Sequence, residues 1–391
     1  MQSRIATARS LVIGVLVAAC VATTAVAVGA SSTARAPLAR GAQAGASSIP
    51  TWEVGPGWVL ATWNQNVPIG PGQNPPPGYH RNPPQDVFLV NPQGGRYLVA
   101  RQRNSAFNLT DWSGDGTRAL FMDSATSRLE QLDIATGATV DSFKLPTSNS
   151  IFIEQATYTK PHGLAILVTS QWGSGQLLQR YSPSGKLLLD YPRSFSHSGK
   201  FDGHFASSPD GTELALGTGA GMALVGNDGT VLAQYGVPHT RYCMPVRWWA
   251  ARVVLLSCES PNYTPRLYEL QLGTGAVSPL TAVPKPPDFG DVNAWSIESG
   301  VYVQDLGGCG YEYLAKLQPN HTTTPVTVPH VVRGYSVYVL GTNDDQLALL
   351  STIACGQGRS VVWFDPEEDT TTVVLGPPLI GGSVVNAITF P

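Results

Sequence analysis

The sequence predicts an all-β fold: a β-propeller of seven four-stranded antiparallel blades, with six and eight as the neighbouring counts, preceded by an N-terminal hydrophobic helix. Three observations carry this. Turn motifs recur about every 46 residues, Gly (41) and Pro (31) are abundant, and Asp, Glu, Lys and Arg make up only 13% of the 391 residues, against about 25% in ordinary soluble domains. Many turns between short strands of low charge describe an all-β chain.

The period is read from two interleaved series of turns. One runs through Gly94, Gly137, Gly185, Gly229, Gly275, Asn320 and Glu367, with gaps of 43, 48, 44, 46, 45 and 47. The other runs through Gly57, Gly116, Gly163, Gly211, Arg252, Gly300 and Asp345. Two hairpin turns per period imply four strands per unit, the composition of a propeller blade. After the last unit the chain continues as "GGSVVNAITFP", a further strand able to pair beside "TWEV" (51–54) or "GWVLATW" (57–63). Such pairing would close the ring and remove an exposed strand edge.

The segment "DWSGDG" (111–116) begins like a calcium-binding EF-hand loop. That reading fails, because loop position 12 is Met122 where a bidentate Glu is required, and the flanks alternate as strands do. A similar turn returns in "SSPDGTELALG" (207–217). Asp-Gly supplies the positive φ of a tight hairpin turn, so both are read as turns and no metal is expected. In these two motifs the chain resembles TolB-like and other WD-repeat-like propellers of bacterial envelopes. The turns "WWAARVV", "SIESGVY" and "TNDDQLA" of other units depart from the pattern, and no partner-binding residues can be carried over.

The N-terminus reads as an export signal. Arg4 and Arg9 precede twenty uncharged residues, Leu11 to Ala30, long enough to span a bilayer. A retained anchor, a cleaved signal and lipidation at Cys20 after Val17-Ala18-Ala19 are all open. Each places the remainder outside the membrane, so the chain divides into residues 1–30 (signal or anchor), 31–49 (flexible linker) and 50–391 (propeller). An extracytoplasmic protein, secreted or held at the outer face of the membrane, follows.

Four further cysteines favour disulfides there. Cys243 and Cys258 lie symmetrically about the hairpin centre at Ala250-Ala251 and should face each other. Cys309 and Cys355 each follow the second strand of neighbouring units and form the second expected pair. Trp248 and Trp249 should point to opposite faces of a strand, and with Trp112 and Trp295 they are assigned to the core between blades.

A net charge of −3 without a Lys/Arg cluster excludes nucleic acid as a partner. Nucleophile elbows, His-Glu-x-x-His, phosphate loops and dinucleotide fingerprints are absent, and no cofactor is expected. The chemistry that remains lies at one end of the propeller, in segments preceding the first strand of each blade or following the second. Arg101, Arg103, Asp202, His204, His239, Arg241, Asp288, Asp291 and Arg333 are the candidate ligand-binding residues. Asp202 and His204, two apart on an extended segment, share a face, and the carboxylate should raise the histidine pKa. The Pro-rich insertion 67–85 presents Tyr79, His80 and Arg81 as a candidate partner loop.

Three functions are carried forward: a non-catalytic propeller that binds a protein or cell-envelope component through its loop-bearing end, a lyase or hydrolase using Asp202, His204, His239 and Arg241, and a structural spacer without ligand. The first is preferred, and a monomer is expected.

Overall fold

The computed structural model describes residues 49–66, 74–80, 83–102, 106–123, 125–145, 151–172, 175–285, 288–307, 312–331, 336–353 and 357–390. The hydrophobic segment expected as an N-terminal helix, the linker up to residue 48, Arg81, Arg103, Cys309, Arg333 and Cys355 lie outside them. Among the described residues there is no α-helix, and no helix long and apolar enough to cross a membrane.

Four-stranded antiparallel meanders make the fold, each with strands a to d in spatial order. Sheet 1 consists of Ser383–Thr389, Val59–Asn64, Gln85–Val90 and Arg96–Gln102; sheet 2 of Asn108–Trp112, Arg118–Asp123, Arg128–Asp133 and Thr139–Lys144. Sheet 3 consists of Ile151–Tyr158, Ile166–Trp172, Gly175–Tyr181 and Leu187–Asp190. Sheet 5 consists of Asp291–Ile297, Gly300–Leu306, Glu312–Leu317 and Thr323–Pro325; sheet 6 of Val337–Asn343, Gln346–Ile353, Gln357–Asp365 and Thr370–Leu375.

Between sheets 3 and 5 the expectation of separate blades needs correction. Among the described residues five sheets stand apart as four-stranded blades, and the chain from Ser194 to Pro279 forms one nine-stranded sheet. Within it, meander 4a (Gly199–Ser207, Glu213–Thr218, Gly221–Gly226, Val231–Gly236) and meander 4b (Arg241–Ala250, Val253–Glu259, Pro265–Gln271, Val277–Pro279) each keep four antiparallel strands. They are joined by the single bridge Thr218↔Cys243, and the short strand Ser194–Phe195 is added at the other side. The cause is local. At Gly217 a Cβ would stand 2.8 Å from the Cys243 carbonyl oxygen, so only glycine lets the first strand of 4b come this close.

Strand burial on both faces explains the near-continuous apolar runs such as "VVLLSC". In that strand Val254, Leu256 and Cys258 pack toward 4a, while Leu255 packs toward sheet 5. Seven hydrophobic clusters of this kind each straddle two neighbouring meanders. Trp112 lies between sheets 1 and 2 and Trp295 between 5 and 6, while Trp248 and Trp249 enter different clusters, as alternation requires.

The ring closes through the C-terminal strand. Ser383–Thr389 pairs with Val59–Asn64, from Val59↔Thr389 to Asn64↔Ser383, which selects the second of the two expected partners; Thr51–Glu53 is instead a 3-10 turn. Thr389 donates its hydroxyl to Leu340 O on sheet 6 (3.3 Å), and Phe390 meets Trp112 of sheet 2 edge to face at 5.3 Å. The last strand thus ties both neighbours together.

The two Asp-Gly turns are alike. Asp115 Oδ1 accepts from Ser113 Oγ (2.6 Å) and the Thr117 amide (3.0 Å), and Asp210 Oδ1 accepts from Ser208 Oγ (2.6 Å) and the Thr212 amide (3.1 Å). Gly116 and Gly211 follow at φ of 74° and 71°, the left-handed region that glycine enters without strain. Asp111 works differently from the turn acids: its carboxylate receives the Tyr158 amide of sheet 3 at 2.6 Å, and burial pushes it up to about 6. It joins two sheets, a role not read from the sequence.

Candidate functional site

In an antiparallel meander the a–b and c–d turns share one end, and the b–c and d–a connections share the other. The Asp-Gly turns occupy the first, and the described candidate residues occupy the second. The structure does not gather them into one constellation. Among the described residues they form local pairs on separate meanders, with no ion pair or hydrogen bond from one pair to the next.

On sheet 1, Arg101 donates through Nε to Asp86 Oδ1 at 2.7 Å and through Nη2 to Asp86 Oδ2 at 3.1 Å. This fork-to-carboxylate geometry raises the Arg101 pKa further. In the Pro-rich insertion, the Asn66 side chain accepts the His80 amide (3.3 Å) and donates to the His80 carbonyl (2.7 Å). His80 is exposed and Tyr79 half-buried.

On meander 4a, Asp202 Oδ1 receives the His204 amide at 3.0 Å and lies 3.3 Å from His204 Nδ1. The hydrogen bond to Asp202 raises the His204 pKa, helped by the Asp202 and Glu154 charges and opposed by burial. Two residues on one strand face were sufficient to foresee this pair.

On meander 4b, Arg241 opposes Glu259 in the ladder, lies over the Tyr263 ring at 5.6 Å and donates to the Tyr263 hydroxyl at 3.2 Å. The expected disulfide Cys243–Cys258 is formed directly beneath, with the two cysteines paired in register and fully buried. His239, Tyr242 and Tyr263 hold φ of 61°, 45° and 63°, uncommon for residues with side chains and costing about 1–3 kcal/mol each. Such strain persists only where the surroundings enforce it, and the disulfide supplies that support between Tyr242 and the loop carrying Tyr263. The next loop is fitted beside it: a side chain at Gly290 would strike Pro265, so Phe289 stands next to this loop. Tyr242, Tyr263 and Phe289 are 52%, 66% and 52% exposed. Three large aromatics are thus left in water at this end, two of them on left-handed backbone, with Arg241 against the Tyr263 ring.

Sheet 5 holds the most perturbed pair. Asp291 and Asp305 are cross-strand partners, both buried, and each keeps one carboxylate oxygen without a hydrogen bond. Burial pushes Asp291 up to about 6, with Thr281 and Arg266 opposing and Asp288 assisting. Burial and then the Asp291 charge raise Asp305 as well, while Tyr313 opposes and Asp288 adds to the rise. The pair is suited to holding a proton between two carboxylates. Among the described residues no group of three or more His, Cys, Asp or Glu is placed to hold a metal ion.

Sequence reading missed Asp305, Tyr242, Tyr263 and Phe289. For Asp305 a signal existed, an acid inside the apolar run "VYVQDL". The aromatics carried none, because exposure of a loop Tyr or Phe depends on neighbouring loops distant in sequence.

No model of a protein family matches the chain, and no curated protein matches it in sequence. Solved structures do match. One is the dihydro-heme d1 dehydrogenase NirN in complex with DHE, at 14% identity over 88% of this chain and 77% of that one, TM-score 0.52. Another is the Cps50 (Swd1) β-propeller domain of Myceliophteria thermophila, at 10% identity over 72% and 90%, TM-score 0.53. TolB from Acinetobacter baumannii is similar at 10% identity over 86% and 83%, TM-score 0.42. The expected likeness to WD-repeat-like propellers holds at the level of fold.

Proposed function

We propose that this chain is an exported, non-catalytic propeller that binds a protein or cell-envelope component through its loop-bearing end, with Tyr242, Tyr263, Phe289 and Arg241 as the anchors. The seven inter-meander clusters support counting 4a and 4b as two blades of seven. The observation that carries the binding reading is the set of exposed aromatics Tyr242, Tyr263 and Phe289, the first two on left-handed backbone beside the Cys243–Cys258 disulfide. Aromatic and arginine side chains dominate binding hot spots, and anchors already fixed lose little conformational entropy on binding. Export is supported by the uncharged N-terminal run and by a disulfide, which persists in oxidising compartments.

The test is saturable binding of the protein to solubilised envelope proteins and to cell-wall glycans. A Tyr242→Ala, Tyr263→Ala, Phe289→Ala triple variant should lose it, and a Leu188→Ala, Leu232→Ala control on exposed outer-strand residues should keep it. Capture that is equal in the triple variant and the wild type overturns the assignment.

A further inference from the structure

At the loop-bearing end of sheet 2 lies a cavity of about 320 Å³, far along the ring from the aromatic face. Arg128 opens strand c and Lys144 closes strand d, and the two are direct cross-strand partners. Like charges placed opposite each other destabilise a ladder, so this pairing calls for compensation. The carboxylate that lines the cavity beside them, Asp123, makes an ion pair with neither. Arg128 spends its Nε on Ser142 Oγ at 2.7 Å. Asp123, the partner of Arg128 on the other side, turns its carboxylate to its own loop, accepting from the Ala125 amide (3.0 Å), the Thr126 amide (3.3 Å) and Thr126 Oγ1 (2.6 Å). Among the described residues no ion pair reaches either cation. Both are exposed, and Phe107 adds apolar surface to the cavity they line; the Phe143 ring turns to the other face of the strand and packs on Tyr181 of sheet 3.

We propose that this cavity binds a small organic anion, its carboxylate or phosphate group bridging Arg128 and Lys144 and its ring or hydrocarbon body lying on Phe107. An anion in that position cancels the like-charge pair and gains charge-assisted hydrogen bonds from both donors. The apolar surface of Phe107 beside the two cations favours an organic anion over a bare inorganic ion. The site lies on a different blade from the aromatic face and stands or falls independently of it.

Calorimetric titration of the full chain in phosphate-free, low-salt buffer tests the proposal with benzoate, phenyl phosphate and benzyl alcohol. Saturable binding of benzoate or phenyl phosphate is expected, the tighter of the two naming the acid class, with benzyl alcohol at least tenfold weaker. Arg128→Gln with Lys144→Gln should weaken anion binding at least tenfold with the melting midpoint unchanged or raised. Lys144→Glu, which gives Arg128 an internal partner, should raise the midpoint and abolish binding. Absence of binding by either anion, equal binding of the alcohol, or unchanged affinity in the folded variants would overturn it.

Discussion

Asp291 and Asp305 face each other across the first two strands of sheet 5, at 2% and 1% exposure. Burial is the main reason both carboxyls stand above their ordinary range, so the folded protein holds protons there that the unfolded chain, with carboxylates near pKa 3.9, has released. A raised carboxyl contributes stability that is complete below the unfolded pKa and lost as pH rises through the folded one. Denaturant midpoints should therefore fall between about pH 4 and pH 7 through this pair, and Asp305→Asn should flatten that slope. The turn acid Asp210 acts oppositely: hydrogen bonds from Ser208 and Thr212 lower it, and its contribution is lost only as pH falls below the ordinary carboxylate range. An unchanged slope between pH 4 and 7 in Asp305→Asn would contradict the dyad.

His204 gives a second pH signature. Its pKa is raised by the Asp202 hydrogen bond, so that stabilisation is full below the unfolded histidine pKa and fades as pH rises through the folded value. Asp202→Asn should lower the His204 midpoint followed by NMR. Identical titration curves would mean that the contact does not govern the imidazole.

The disulfide joins residues 15 apart in sequence, a loop for which chain-entropy arguments give about 3 kcal/mol. Replacing both cysteines by Ser should lower unfolding stability by roughly that amount and release the left-handed backbone at Tyr242 and Tyr263. Denaturant titration measures the first effect. Hydrogen exchange in residues 239–242 and 260–264 measures the second, and equal exchange in both proteins would remove the disulfide from its supporting role.

Closure by the last strand predicts a cooperative dependence on the C-terminus. Removing residues 383–391 uncovers the edge of Val59–Asn64 and opens the contacts of Val384 and Ala387 with sheet 6, and an open edge invites association. The truncated protein should aggregate or unfold at markedly lower temperature in light scattering and circular dichroism. A monomer with an unchanged midpoint would show that the strand is dispensable.

Much of this architecture is legible in the chain. Asp-Gly at 115–116 and 210–211 fixes backbone sign and hydrogen bonding locally, and the symmetry of Cys243 and Cys258 about Ala250-Ala251 survives three register shifts in their ladder. Fusion of 4a with 4b is not legible, because Gly217 looks like any strand glycine until the Cys243 carbonyl is brought against it. The site divides the same way. Asp202 and His204 are neighbours on one strand and were paired from sequence, whereas Asp291 meets Asp305 only through a bulged ladder. The candidate polar residues at the loop-bearing end form separate local pairs, since each finds its partner within its own sheet.

Recognition through the loop-bearing end is the central claim, and hydrogen exchange of the full chain, free and saturated with its captured envelope ligand, tests it most directly. Protection concentrated in residues 239–242, 260–264 and 288–291 is the predicted result. Protection confined to the opposite turns, at 113–117 and 208–212, would contradict it.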